Sequence, residues 1–164
     1  MKKYVVLWVM LCVGFSVTAQ DVVSDFQRKY VNGEDFTVVN ISAKMFQMMV
    51  PVVDPEMEQM VKDLTGMKVL TSNKNAAKYY QEAIGFINRP NSGYEELMSV
   101  QEKNENIVMF TKELNGIITE LIVIVGGKSD FVLMGFTGKI DLKRIATLSK
   151  SMNVNGLMYL DKIK

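Results

Sequence analysis

Between Asn106 and Gly138 the apolar positions fall into three runs, NIVMFTKEL, IITELIVIV and FVLMGFTG, separated by Asn-Gly and by GGKSD. β-branched and aromatic runs around an Asn-Gly pair predict a β-hairpin, and the third run extends it to a three-stranded antiparallel meander. A two-residue turn at Asn115-Gly116 pairs Leu114 with Ile117, which predicts Phe110 opposite Leu121 and Val108 opposite Val123. One face then carries Val108, Phe110, Leu114, Ile117, Leu121 and Val123 and packs on helices. The other face carries Thr111, Glu113 and Glu120 near the turn. Farther away it carries a second apolar patch, Ile107, Met109, Ile122 and Ile124, joined by either Val132, Met134 and Phe136 or Phe131 and Leu133.

An antiparallel sheet with helices on one face usually leaves the other face polar. Here the second face is apolar too, so another surface is expected to cover it: a second copy of the chain, a partner, or the segment Val22 to Tyr30 folding back. Ile107, Met109, Ile122 and Ile124 are therefore the candidate interface.

Upstream, Val22, Val23, Phe26 and Tyr30 recur at helical spacing, and Asn32-Gly33 ends that helix. Phe36 to Ile41 reads as the first strand. Ser42 is an N-cap candidate for a short helix through Met49, and Asp54 one for a helix from Pro55 to about Leu64. Met67 to Leu70 is the second strand. Ala76, Tyr79, Tyr80, Ala83, Ile84 and Ile87 form one stripe of a helix within Asn75 to Asn88, and Asn88 to Gly93 is a loop. Tyr94 to Met98 reads as one helical turn, and Ser99 to Lys103 as the start of a strand. Beyond the meander, Asp141 is an N-cap candidate for a helix carrying Leu142, Ile145, Ala146, Leu148 and Met152, whereas Gly156 to Ile163 fits strand or helix. This order gives an α+β fold, a two-layer sandwich with a mainly antiparallel sheet and helices on one face. Without repeats or a long linker, residues 20–164 form a single domain.

The first nineteen residues are of a different kind. Lys2 and Lys3, an apolar run from Tyr4 to Phe15 and the small-residue site Val17-Thr18-Ala19 form a cleaved secretory signal peptide, residues 1–19. The apolar run is short of the roughly 20 residues that span a bilayer. Cys12 lies within it behind Leu11, so the pattern of a lipoprotein is not met. The expected location is the periplasm or the exterior, with no stable membrane span.

Removing the leader changes the chemistry. Lys and Arg fall from 19 to 17 as Lys2 and Lys3 leave, Asp and Glu remain 18, and the net charge becomes −1. No basic footprint for nucleic acid remains. The chain has no histidine and its one cysteine is Cys12, so the mature protein has no disulfide, no zinc site of His and Cys, and no Ser-His or Cys-His pair. No catalytic residue, cofactor or metal site is assigned.

Three motifs have ordinary readings. Gly126-Gly127-Lys128-Ser129 ends like a phosphate-binding loop, but Ile122 stands where that loop needs glycine and a strand follows, so it is a turn. Asp54, Glu56, Glu58 and Asp63 match no calcium loop and suit the first turns of a helix. Met45, Met48, Met49, Met57, Met60 and Met67 crowd one region, as core, as an adaptable contact surface or, in the least favoured reading, as a thioether cluster for copper(I). Of Tyr79 and Tyr80, adjacent on one helix, one faces outward.

The leader, FTVVNIS, MKVL before a Tyr-rich helix, YEELMSV, the Asn-Gly strand pair and FVLMGFTGKIDLKRIATL together resemble the domain of unknown function 4252 family of Bacteroidetes-type bacteria. The resemblance runs from about Phe26 to Leu160 and rests on hydrophobic patterns. It implies a small exported protein and no activity or functional residues. Some members are lipoproteins, a pattern from which this chain departs.

A non-catalytic envelope protein, working through an unknown envelope partner or as a homo-oligomer, fits these features. A carrier of a small apolar or lipidic ligand is the alternative, its methionines and apolar strand faces lining a cavity. An enzyme using carboxylates, lysine or tyrosine is the third class. Export with cleavage between Ala19 and Gln20 is checked by the intact mass of the native protein. A mass that includes the first nineteen residues, or a lipid adduct on Cys12, contradicts it.

Overall fold

The computed structural model describes residues 21–30, 35–49, 58 and 62–142. Helix α1 spans Val22–Tyr30, strand β1 Thr37–Ser42, helix α2 Ala43–Met49, strand β2 Leu64–Ser72 and helix α3 Ala76–Ile87. Strands β3 (Tyr94–Gln101), β4 (Glu105–Leu114), β5 (Ile117–Gly127) and β6 (Phe131–Gly138) follow. The six strands form one sheet in the order β1-β2-β6-β5-β4-β3, and every neighbouring pair is antiparallel. This is the α+β sandwich the sequence predicts, with the meander β4-β5-β6 inside the sheet. The leader, the helix expected from Pro55 and the elements expected after Asp141 lie largely or wholly outside the described residues.

The central strands are buried on both faces. Ile107 to Phe110 of β4, Leu121 to Val125 of β5 and Phe131, Leu133, Met134 and Phe136 of β6 are all buried, which is why these runs are continuously apolar rather than alternating. On the first face, Val108, Phe110, Ile122, Ile124, Phe131 and Leu133 pack with α1 and α3. On the second, Ile107, Met109, Leu121, Val123, Met134 and Phe136 form another cluster, into which α2 inserts Phe46 and the chain after β6 inserts Ile140. The face left uncovered in the sequence reading therefore receives a short helix of its own.

The hairpin register differs from the one predicted. Asn115 and Gly116 have φ of 53° and 78°, the left-handed pair that a type I′ turn needs, and Leu114 does pair with Ile117. Two residues farther on, Thr119 bulges out and donates its hydroxyl to the Lys112 carbonyl at 3.2 Å. Lys112 consequently pairs with Glu120, Phe110 with Ile122 and Val108 with Ile124. One extra residue exchanges the two faces of a strand. Leu121 and Val123 therefore lie on the second face, and Ile122 and Ile124 on the first.

Other boundaries shift for local reasons. Tyr94 to Met98 is strand, not a helical turn. Glu-Glu-Leu-Met favours helix by propensity, but pairing with β4 from Tyr94↔Lys112 to Gln101↔Asn106 overrides it. β2 is longer than expected and takes in Thr65-Gly66, with a bulge there. The Ser42 hydroxyl accepts from the Met45 N–H at 3.4 Å, as an N-cap does. The Tyr80 ring lies over Gly126 while Tyr79 is buried, and Gly127 to Asp130 forms the expected turn.

Helix α1 is held by aromatic packing. The Phe26 ring lies 4.5 Å from Tyr30, 5.6 Å from Phe86 and 5.6 Å from Phe131, centroid to centroid. The helix reaches the sheet closely because β6 has Gly135 beneath it; a Cβ there would stand 2.6 Å from the Val23 Cγ2. Gly135→Ala should therefore destabilise the protein by about 1 to 3 kcal/mol through overpacking. Gly116→Val has open space around it, so its loss, about 1 kcal/mol or more, is conformational alone. Urea titration of both variants checks this, and an unchanged midpoint in either contradicts the corresponding account.

Candidate functional site

The four residues proposed from sequence as an interface do not form one patch. Ile107 and Met109 belong to the second-face cluster, Ile122 and Ile124 to the first, and all four are buried. The Thr119 bulge separates them. Ile122 and Ile124 are covered on the face where α1 and α3 pack, so the segment Val22 to Tyr30 does fold back onto the sheet. The methionines divide as well: Met67 is core, whereas Met45 and Met48 are 46% and 60% exposed. Met57 and Met60 lie outside the described residues, as do Asp54 and Glu56. Glu58 is 3.9 Å from Lys62 on an exposed surface.

Two arrangements invisible in the sequence pattern emerge. The first is a polar row across the turn end of the first face. Tyr94, Lys112, Glu120 and Thr137 are successive register partners on β3, β4, β5 and β6, and Thr65 donates to Thr137 at 3.1 Å. Tyr94 donates its phenol proton to Glu120. Lys112 stands 3.3 Å from the other Glu120 oxygen and 5.3 Å over the Tyr94 ring.

Above this row sits the start of α1. The Asp21 carboxylate accepts from the Val23 N–H at 3.0 Å, from the Ser24 hydroxyl at 2.9 Å and from Lys68 Nζ at 2.9 Å. Lys68 also reaches the Ser24 hydroxyl. Between this end of α1 and the β4-β5 turn runs an open groove of about 830 Å³, lined by Lys112, Leu114, Ile117, Glu120, Thr137 and Lys139 among others.

The electrostatics of the row are those of a clamp. Burial would raise the Asp21 pKa, but the hydrogen bonds from Lys68 and Ser24, the Lys68 charge and the Val23 N–H outweigh it and hold the carboxyl below its ordinary value. Burial, together with the bond to Glu120 and its charge, pushes Tyr94 well above the ordinary phenol. Each of these polar groups is matched with a partner, and the Asp21–Lys68 pair fastens the start of α1 to β2.

The second arrangement is the β1 edge. β1 ends the strand order and its six residues, TVVNIS, carry no charge. Thr37, Val39, Asn40 and Ser42 are exposed, with Val39 at 47%. β1 pairs with β2 in unbroken register from Thr37↔Thr71 to Ser42↔Gly66. Helix α2, bearing exposed Met45 and Met48, follows without a break and packs on β1 and β2. At the opposite edge, β3 is interrupted by a bulge between Glu96 and Met98 and presents exposed Glu95 and Glu96. Bulges and charges are what keep an edge strand from recruiting another chain, so among the described residues β3 is protected and β1 is open. The uncharged β1 sequence was the only signal available, because its edge position follows from strand order.

The acid limb of stability tests the clamp. With its folded pKa below the ordinary 3.8, Asp21 contributes stability that is complete above about pH 4 and is lost as pH falls through the folded value. Asp21→Asn should lower the urea midpoint at pH 6 and reduce its decline on acidification. Parallel pH profiles for the two proteins contradict the clamp.

The family model described as Domain of unknown function (DUF4252) matches residues 30–148. Comparison with curated proteins gives no match, and neither does comparison with solved structures.

Proposed function

We propose, for a chain that belongs to the DUF4252 family, that it is an exported, non-catalytic protein that works by binding another polypeptide along strand β1. The observation that carries this reading is the open edge. A regular, uncharged, exposed strand offers its unpaired N–H and C=O groups to an added strand, and neighbouring side chains supply the contact surface. Val39 and the exposed methionines of α2 are suited to that contact, since methionine adapts to irregular partners. Export rests on the leader, with its Val17-Thr18-Ala19 cleavage site and no lipidation pattern at Cys12, and it places the protein in the periplasm or outside the cell. A carrier of a small apolar ligand would use a surface cleft, either the groove at the turn end or the cleft of about 500 Å³ lined by Ile41, Met45, Met67 and Lys68 among others, because the apolar strand faces themselves are filled by packed side chains such as Met109, Val123 and Leu133.

The test is site-directed photo-cross-linking in the native cell. A photoreactive residue in place of Met48 should give an adduct with a polypeptide, and Val39→Lys should abolish it by placing a charge on the edge. The same residue in place of Glu95 on β3 should give none. Absence of an adduct at Met48, or adducts only at Glu95, contradicts the reading.

A further inference from the structure

Resting on that reading, we infer that the polypeptide added to β1 is the β1 of a second copy of this chain, paired antiparallel about a two-fold axis normal to the sheet. Three observations favour a second copy. β1 carries no charged side chain, so two copies meet with no like charges opposed, whereas two copies of β3 would set Glu95 and Glu96 against their own kind.

The second observation is the residue parity. A two-fold axis normal to the sheet keeps corresponding faces on the same side, so each β1 residue must oppose one of its own parity. Val38 belongs with the first-face cluster, and Ile41 with the second. Of the registers this parity allows, the two that pair five β1 residues of each copy place Val39 opposite either Val39 or Ile41 of the other copy. Both cover the 47%-exposed Val39 with an apolar side chain, and both leave α1 and α3 of the two copies on one side and α2 on the other.

The third is the difference between the edges. A chain with two open edges would grow edge to edge without limit, but here the far edge is bulged and acidic. Pairing β1 with β1 uses the only open edge of the described sheet in each copy and closes the assembly at two chains. The product is one continuous antiparallel sheet, running from the β3 of one copy to the β3 of the other.

The experiment measures the molar mass of the protein as purified from cells, by light scattering over a dilution series. The expected mass is two chains, falling to one chain in Val39→Lys with an unchanged circular dichroism spectrum. The mature sequence has no cysteine of its own, so introduced ones report contacts directly. Val39→Cys or Asn40→Cys, whichever lies on the axis, should form a disulfide-linked pair on mild oxidation, and Glu95→Cys should not.

A one-chain mass at every concentration overturns the inference. So does a two-chain mass that survives Val39→Lys, or a pair linked through Glu95→Cys. If self-pairing fails while the Met48 cross-linker still captures a different polypeptide, edge binding stands and only the identity of the strand is overturned. If neither appears, both fall.

Discussion

Everything in this structure depends on burying both faces of β5 and its neighbours. Leu121 and Val123 need cover on one side of the sheet and Ile122 and Ile124 on the other, so no helical layer on a single side could complete the core. At roughly 25 cal/mol per Å² of apolar surface removed from water, leaving either cluster exposed would forfeit much of the marginal stability that a domain of this size has. The short helix α2 is accordingly tied directly to the end of β1, where Phe46 can reach the second cluster. Helices α1 and α3 share the first face, meeting through Phe26, Tyr79 and Phe86.

The N-terminal helix shows how packing and electrostatics divide the work. Phe26 supplies the adhesion, a ring among rings in a region without solvent. Asp21 and Lys68 supply the position: the capping carboxylate accepts from the Val23 N–H of the first turn, and the lysine beneath it fixes that cap over β2. Gly135 allows the approach that makes both possible. The leader predicted from the sequence ends at Ala19, so the mature chain would begin one residue before this cap and enter the sheet's first face at once.

The two sheet edges carry the functional argument. Unpaired strand groups are a hazard in any open sheet, and proteins usually blunt them with charge, bulges or cover. β3 has both a bulge and two exposed glutamates, whereas β1 has neither and bears β-branched side chains. An edge left open beside another that is blunted is the arrangement expected where one edge has an occupant. The polar row at the turn end has no comparable vacancy, since Tyr94, Lys112 and Glu120 are bound to one another.

Much of the fold was legible in the chain. The meander followed from three apolar runs and an Asn-Gly pair, the turn type from the positive φ those residues accept, and α1 and α3 from their apolar stripes. These are local properties, set by backbone sterics and by the spacing of side chains that must share a face. The Thr119 bulge was not legible, because nothing in IITEL marks which residue will step out of register, and that one residue moved Ile122 and Ile124 to the opposite face. Tyr94 to Met98 read as a helical turn because Glu and Leu favour it intrinsically, and only pairing along β4 made it a strand. The openness of β1 was decided last and farthest from the sequence. An uncharged strand can sit anywhere in a sheet, and only the order in which β2 and β6 pack inside it left its outer edge without a neighbouring strand among the described residues.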